Sequence, residues 1–167
     1  MQIGTLDVDG SASWEMTYVS QHELVLRLLA AAVLGGLIGL DRELGGKPMG
    51  LRTLILISLG SALMTLLAME LALVAGQRGD LGEIDPTRII QGVISGVGLI
   101  GVGALLQRER RLRGATTGAS VWLVGGIGIA CALGFYVAAA VATGIGLFVL
   151  VGLGLIERWT RRRFGDD

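Results

Sequence analysis

From Gly114 to Ile156 the chain runs forty-three residues without a single charged side chain. As one straight helix, at about 1.5 Å per residue, that stretch would be about 64 Å long, twice the roughly 30 Å of a bilayer's hydrocarbon core. As part of a water-soluble domain it would leave far more apolar surface than a chain of 167 residues can cover. It must therefore fold back on itself, and Gly134, near its midpoint, is the residue able to end a helix in a left-handed conformation. Phe135 and Tyr136 follow as interfacial aromatics. The rest of the chain agrees: 52% of residues are hydrophobic, only 17% are charged, mean hydropathy is +0.69, and the charges fall in clusters between apolar runs.

Counting runs of about 20 apolar residues gives five spans, at 22–40, 53–75, 88–106, 115–133 and 135–156, and predicts an all-α integral membrane protein, a compact glycine-rich bundle of five transmembrane helices. Residues 1–21 form a polar N-terminal extracytoplasmic segment without the basic and apolar regions of a signal peptide, and 157–167 a short basic cytoplasmic tail. Charge sets the orientation. Of 14 Lys and Arg, 11 lie in the first connection (Arg42, Lys47, Arg52), the third (Arg108, Arg110, Arg111, Arg113) and the tail (Arg158, Arg161, Arg162, Arg163). Cytoplasmic segments are the basic ones, so the N-terminus is expected outside and the C-terminus in the cytoplasm of a bacterial inner membrane.

Residues 96–101, GVGLIG, fit the Gly-x-Gly-x-x-Gly template of dinucleotide sites. That template needs a strand before it, a helix after it and a carboxylate about 20 residues on. Position 121 is Val121, and the surroundings are apolar on both sides, so a nucleotide reading fails. In a bilayer, small residues let helix backbones approach closely. Gly35 and Gly39 supply this in the first span; Gly92 and Gly96, continued by Gly98, Gly101 and Gly103, supply it in the third. The third span, small on several faces, is expected to be central. Unwound, ion-coordinating backbone is the alternative use for such glycines.

Ionisable groups at membrane depth are costly and tend to be functional. At the outer side Asp85 precedes Pro86, which suits a helix cap, while Arg88, Gln91 and Ser95 form a polar stripe that either snorkels and bonds other helices or lines a cavity. Arg27 and Glu70 lie at a depth where they could meet Arg88. At the inner side Asp41 and Arg42 end the first span, Arg52 opens the second, and Thr116, Thr117 and Ser120 open the fourth. These either cap and anchor the helices or form a cluster in which Asp41 pairs with Arg42 or Arg52 and the hydroxyls complete it. Asp80, Glu83 and Asp85 could attract a hard cation but read as a solvated loop. His22 reads as interfacial and Cys131 as an apolar filler. No metal site, cofactor, catalytic constellation or nucleic-acid partner is expected; the partners expected are the bilayer, further copies of the chain and another membrane complex.

The stretches GGLIGLDRE, GLRTLILISLGSAL, DPTRIIQGVISGVGLIGVGALL and GATTGASVWLVGGIGIACALGFY, in this order, resemble the MgtC/SapB family of bacterial inner-membrane proteins. The resemblance implies a five-span membrane protein. It also implies a link to growth under magnesium limitation and, in pathogens, to survival in macrophages; one subgroup is linked to restraint of the F-type ATP synthase, and some members carry a magnesium-transporter label. The family's recurrent polar residues fall on Asp41, Arg42, Arg52, Asp85, Arg88, Ser95, Thr116 and Thr117. Asp41 stands where Glu is usual, and Leu54 where a His commonly follows the Arg-Thr pair. The chain ends about ten residues past the fifth span, so regulation by the family's soluble C-terminal domain is not expected here. Two functions follow: a regulator that docks on another membrane complex, or a homo-oligomeric transporter lined by Arg88, Gln91, Asp41 and Arg52.

Overall fold

The computed structural model describes residues 18–78, 85–106 and 115–154. The N-terminal residues 1–17, the loop acids Asp80 and Glu83, the arginine run 108–113 and the basic tail lie outside the described residues. Among those described there are five α-helices and no strand: α1 (Gln21–Leu44), α2 (Leu51–Arg78), α3 (Pro86–Leu106), α4 (Ala115–Ala132) and α5 (Tyr136–Leu147), the last continued by a π-helical turn (Phe148–Leu153). The first four are long and apolar enough to cross a membrane; α5 and its continuation, Tyr136–Gly152, are apolar but shorter.

Local chemistry sets the ends. Ser20 caps α1 through its side chain, accepting from the Glu23 N–H, the Ser-x-x-Glu pattern of a capping box. At the other end of α1 the Gly46 N–H bonds to the Glu43 carbonyl and the Lys47 N–H to the Arg42 carbonyl, a Schellman turn with Gly46 at φ 59. The same turn closes α4. The Gly134 N–H bonds to the Cys131 carbonyl, the Phe135 N–H bonds to the Ala130 carbonyl, and Gly134 sits at φ 81. The charge-free stretch thus reverses at the glycine expected to reverse it.

The centre of the bundle differs from the expectation. α4, not α3, is the most enclosed helix: it packs on α1, α2, α3 and α5, and Val121, Val124, Ile127, Cys131 and Ala132 are buried in its core face. Among the described residues α3 packs closely on α2 and α4. A Cβ added at Gly92, Gly96, Gly98 or Gly103 would meet none of the described residues, and of the α3 glycines Gly101 is the one in close contact, against Gly118. The reason lies in which helix offers backbone to its neighbours on more than one side. On α4, a Cβ at Gly128 would stand 2.3 Å from the Ser58 carbonyl oxygen of α2, and one at Gly125 2.9 Å from Val97 of α3. On α1, a Cβ at Gly35 would lie 2.6 Å from Ser58 Cβ, and one at Gly39 2.8 Å from Leu51 Cα. Small residues close the α1–α2–α4 core; most of those on α3 face outward.

Two buried arginines as the candidate functional site

Both ends of the α1–α4 pair are joined by an arginine of α1. At the end nearest the α1–α2 turn Arg42, 1% exposed, sits in the last turn of α1. The Schellman turn returns the chain through Pro48 and through Met49, which takes a left-handed φ of 57, so that both loop carbonyls face the guanidinium. Its Nε donates to Pro48 O at 3.1 Å and Met49 O at 3.2 Å, and Nη2 donates to Pro48 O at 2.8 Å. From α4, Thr117 Oγ1 accepts from Nη2 at 2.6 Å and Ser120 Oγ accepts from Nη1 at 3.1 Å. The Ser120 hydroxyl in turn donates to the Thr116 carbonyl at 2.7 Å, which fixes its lone pairs toward Arg42.

Every one of these acceptors is neutral. The two ion pairs among the described residues are Asp41–Lys47, at 2.9 Å, and Glu23–Arg27. A cation out of water without a counter-charge costs several kcal/mol, and here hydroxyls, loop carbonyls and the negative C-terminal end of α1 stand in for hydration. The three consecutive charges of Asp41-Arg42-Glu43 have three separate roles: Asp41 holds Lys47, Arg42 holds α4 and the loop, and the Glu43 carboxylate accepts the Leu51 N–H at 3.0 Å, capping α2.

At the opposite end Arg27, 8% exposed, bonds the Glu23 carboxylate one turn earlier, stands 5.5 Å over the Tyr18 ring, and donates Nη1 to the Ala132 carbonyl. That carbonyl belongs to the C-terminal turn of α4, where unpaired acceptors and partial negative charge favour a cation. Glu70 accepts the Tyr18 N–H at 2.7 Å.

The sequence-derived residues divide accordingly. Arg42, Thr117 and Ser120 come together. Asp41 pairs with Lys47 rather than with either arginine, because Arg42 turns inward while Lys47 follows it around the turn. Arg52 and Thr116 have exposed side chains; Thr117, one residue on, is the hydroxyl that points into the bundle. The outer cluster of Arg27, Glu70 and Arg88 does not form: Arg27 and Glu70 converge on Tyr18, whereas Arg88, Gln91 and Ser95 lie on the exposed face of α3. Asp85 is a helix cap, accepting from the Thr87 hydroxyl at 2.6 Å and its N–H at 2.9 Å, which hold its carboxyl below the usual range. Among the described residues no group of three His, Cys, Asp or Glu side chains is placed to hold a metal ion.

Sequence reasoning missed Ser58, Ser61 and Thr65, all buried on α2. Thr65 donates to the Ser61 carbonyl at 2.8 Å, and the Ser58 and Ser61 hydroxyls have no partner. Their spacing of three and four residues within an apolar span was the available signal. Between the two arginines, about 22 Å apart along α1 at 1.5 Å per residue, the core holds Ala31, Ile38, Leu54, Leu66, Val124 and Ile127, none more than 1% exposed, together with these buried hydroxyls.

These features define a helical membrane protein whose core is closed by glycine contacts and pinned at both ends by arginine. The profile of the MgtC family matches residues 28–159, and the chain belongs to that family. It is similar to protein SapB of Bacillus subtilis, 35% identical over 91% of this chain and 64% of SapB. YhiD of Escherichia coli K12, named as a proposed magnesium transporter, is 39% identical over 68% of this chain and 53% of its own length. Protein MgtC of Salmonella typhimurium LT2 is 35% identical over 71% of this chain and 47% of its own. The chain thus spans about half to two thirds of these relatives. No solved structure matches it.

Proposed function

We propose that this chain serves magnesium-limitation or acid-stress homeostasis in the bacterial inner membrane by modulating another membrane complex through contact. The name of its relative YhiD supports the magnesium connection. One observation carries the contact reading: Arg42 and Arg27 are buried and held by hydrogen bonds, and the layer between them is close-packed and aliphatic apart from the small hydroxyls of Ser58, Ser61 and Thr65. A hydrated ion crossing that layer would lose its water and meet only those few hydroxyls in its place, so the interior of one copy is a poor conduit.

A second reading, a homo-oligomeric transporter or channel for magnesium, protons or another small ion, is favoured by the exposed stripe of Arg88, Gln91 and Ser95 on α3. Such a path would run between copies and not through one. Ion flux in proteoliposomes, read with magnesium-sensitive and pH-sensitive dyes, separates the two. The contact reading expects no flux above empty liposomes for protein shown to be folded and inserted. Flux abolished by Arg88→Ala would replace it with the second.

A further inference from the structure

The outward face of α3 is unusual for a surface that meets lipid. Gln91 and Ser95 are exposed on it, with Gly92 and Gly96 alongside, each open to close approach. A carboxamide facing hydrocarbon has two donors and an acceptor to satisfy and no water to satisfy them. Membrane helices meet that need by bonding a neighbouring helix, yet among the described residues the close neighbours of α3, α2 and α4, lie on its opposite side, where Val97 and Gly101 are buried. Adjoining the face is a groove of about 500 Å³ between α2 and α3, walled by Leu56, Met64, Val93, Ile100 and, at its base, Ser61. The Ser61 hydroxyl is 2% exposed and has no hydrogen-bond partner.

We infer that this face pairs α3 with α3 of a second copy about a two-fold axis along the membrane normal. The features of the face are complementary to themselves, which is what an isologous contact requires. Two Gln91 side chains meeting across the axis supply each other's donor and acceptor. Gly92 and Gly96 repeat at the four-residue spacing that lets two identical backbones approach. Asp85 and Arg88, one turn apart at this end of α3 and both exposed, bring two carboxylates and two guanidiniums together, charges that offset one another. Leu99, 73% exposed and one turn below Ser95, is the side chain available to fill the partner's groove. The pairing stands whether the protein regulates or transports.

The test uses the 167-residue chain in its membrane, with Cys131→Ala as background and single cysteines at Ser95 or Leu99, or at Val33 of α1 and Val137 of α5, which are exposed on other faces. Oxidation is expected to cross-link the α3 positions to a second copy and to leave the other two monomeric. Single-molecule photobleaching in liposomes then reads the dimer directly. Gly92→Leu and Gln91→Leu should each weaken it about tenfold or more. Because a Cβ at Gly92 meets none of the described residues, Gly92→Leu should keep the thermal stability of the monomer, so loss of the dimer is distinguishable from loss of the fold. Monomers at every density, a dimer indifferent to both substitutions, equal cross-linking at Val33 or Val137, or cross-links only to a different protein would each overturn the pairing.

Discussion

Arg42 holds three segments at once: the end of α1, the Pro48–Met49 turn and the first turns of α4. Each hydrogen bond from a charged donor is worth roughly 1.5–3 kcal/mol, against the several kcal/mol cost of an unpaired buried charge. Arg42→Ala removes both, but it also leaves a void and orphans the Thr117 hydroxyl and two loop carbonyls. A net loss of about 2–4 kcal/mol is expected in denaturant unfolding in nanodiscs. Arg42→Lys, a point charge without the planar fork, should recover less than half. A loss below about 0.5 kcal/mol for Arg42→Ala, within the range of an ordinary surface substitution, would show the cluster to be incidental. Asp85 gives a second residue-level expectation. Its carboxyl lies below the ordinary value of 3.8 because Thr87 bonds the charged form, hydroxyl first and N–H second. The cap therefore contributes fully above 3.8, and its contribution disappears as pH falls through the lowered folded value. Thr87→Val should move Asp85, followed by carboxyl NMR titration, part of the way back up, since the backbone N–H remains. That Arg42 and Thr117 mattered was legible from their cost at membrane depth. That Arg42 makes no direct ion pair with the adjacent Asp41 was not, because a side chain's direction at a helix end depends on the turn that follows.

Helix packing rests on glycines that look alike in the sequence and behave differently in the bundle. Gly128 stands where a Cβ would press within 2.3 Å of the Ser58 carbonyl oxygen, backbone that cannot swing aside, whereas at Gly126, two residues earlier on the same helix, it would meet open space. Gly128→Ala is expected to cost about 2–3 kcal/mol through forced separation of α2 and α4. Gly126→Ala should be neutral, or should gain up to about 1 kcal/mol from higher helix propensity. Thermal unfolding of the two variants side by side checks this, and equal effects would mean that the close α2–α4 contact is absent. The spans themselves were legible, since an apolar run of bilayer length has few other interpretations, and so was the reversal at Gly134. Which helix would be central was not. Glycine count marks α3 as strongly as α4, but the count reports only how closely a helix can be approached, and does not separate approach within one chain from approach by another.

At the scale of the whole molecule, the antiparallel α1–α4 pair carries an arginine at each end, and the positions of these ends relative to the membrane follow from charge. The α1–α2 end holds Arg42, Lys47 and Arg52, while Asp85 and Glu23 lie toward the opposite end. By the positive-inside rule the first connection is expected in the cytoplasm, and a bundle in which α1 to α4 all cross would then place the Gly134 turn outside. The crossing left to test is α5, whose apolar part among the described residues, Tyr136–Gly152, covers 17 residues, about 26 Å at 1.5 Å per residue. Single cysteines at Gly46 and Phe135, on a Cys131→Ala background, address both questions with a membrane-impermeant maleimide. Phe135→Cys should label in intact cells and Gly46→Cys only after permeabilisation. A C-terminal reporter that is active in the cytoplasm would then require α5 to cross. The same reporter found outside would confine the chain to four crossings, with α5 lying back against α1 and α4 on the outer half of the bundle.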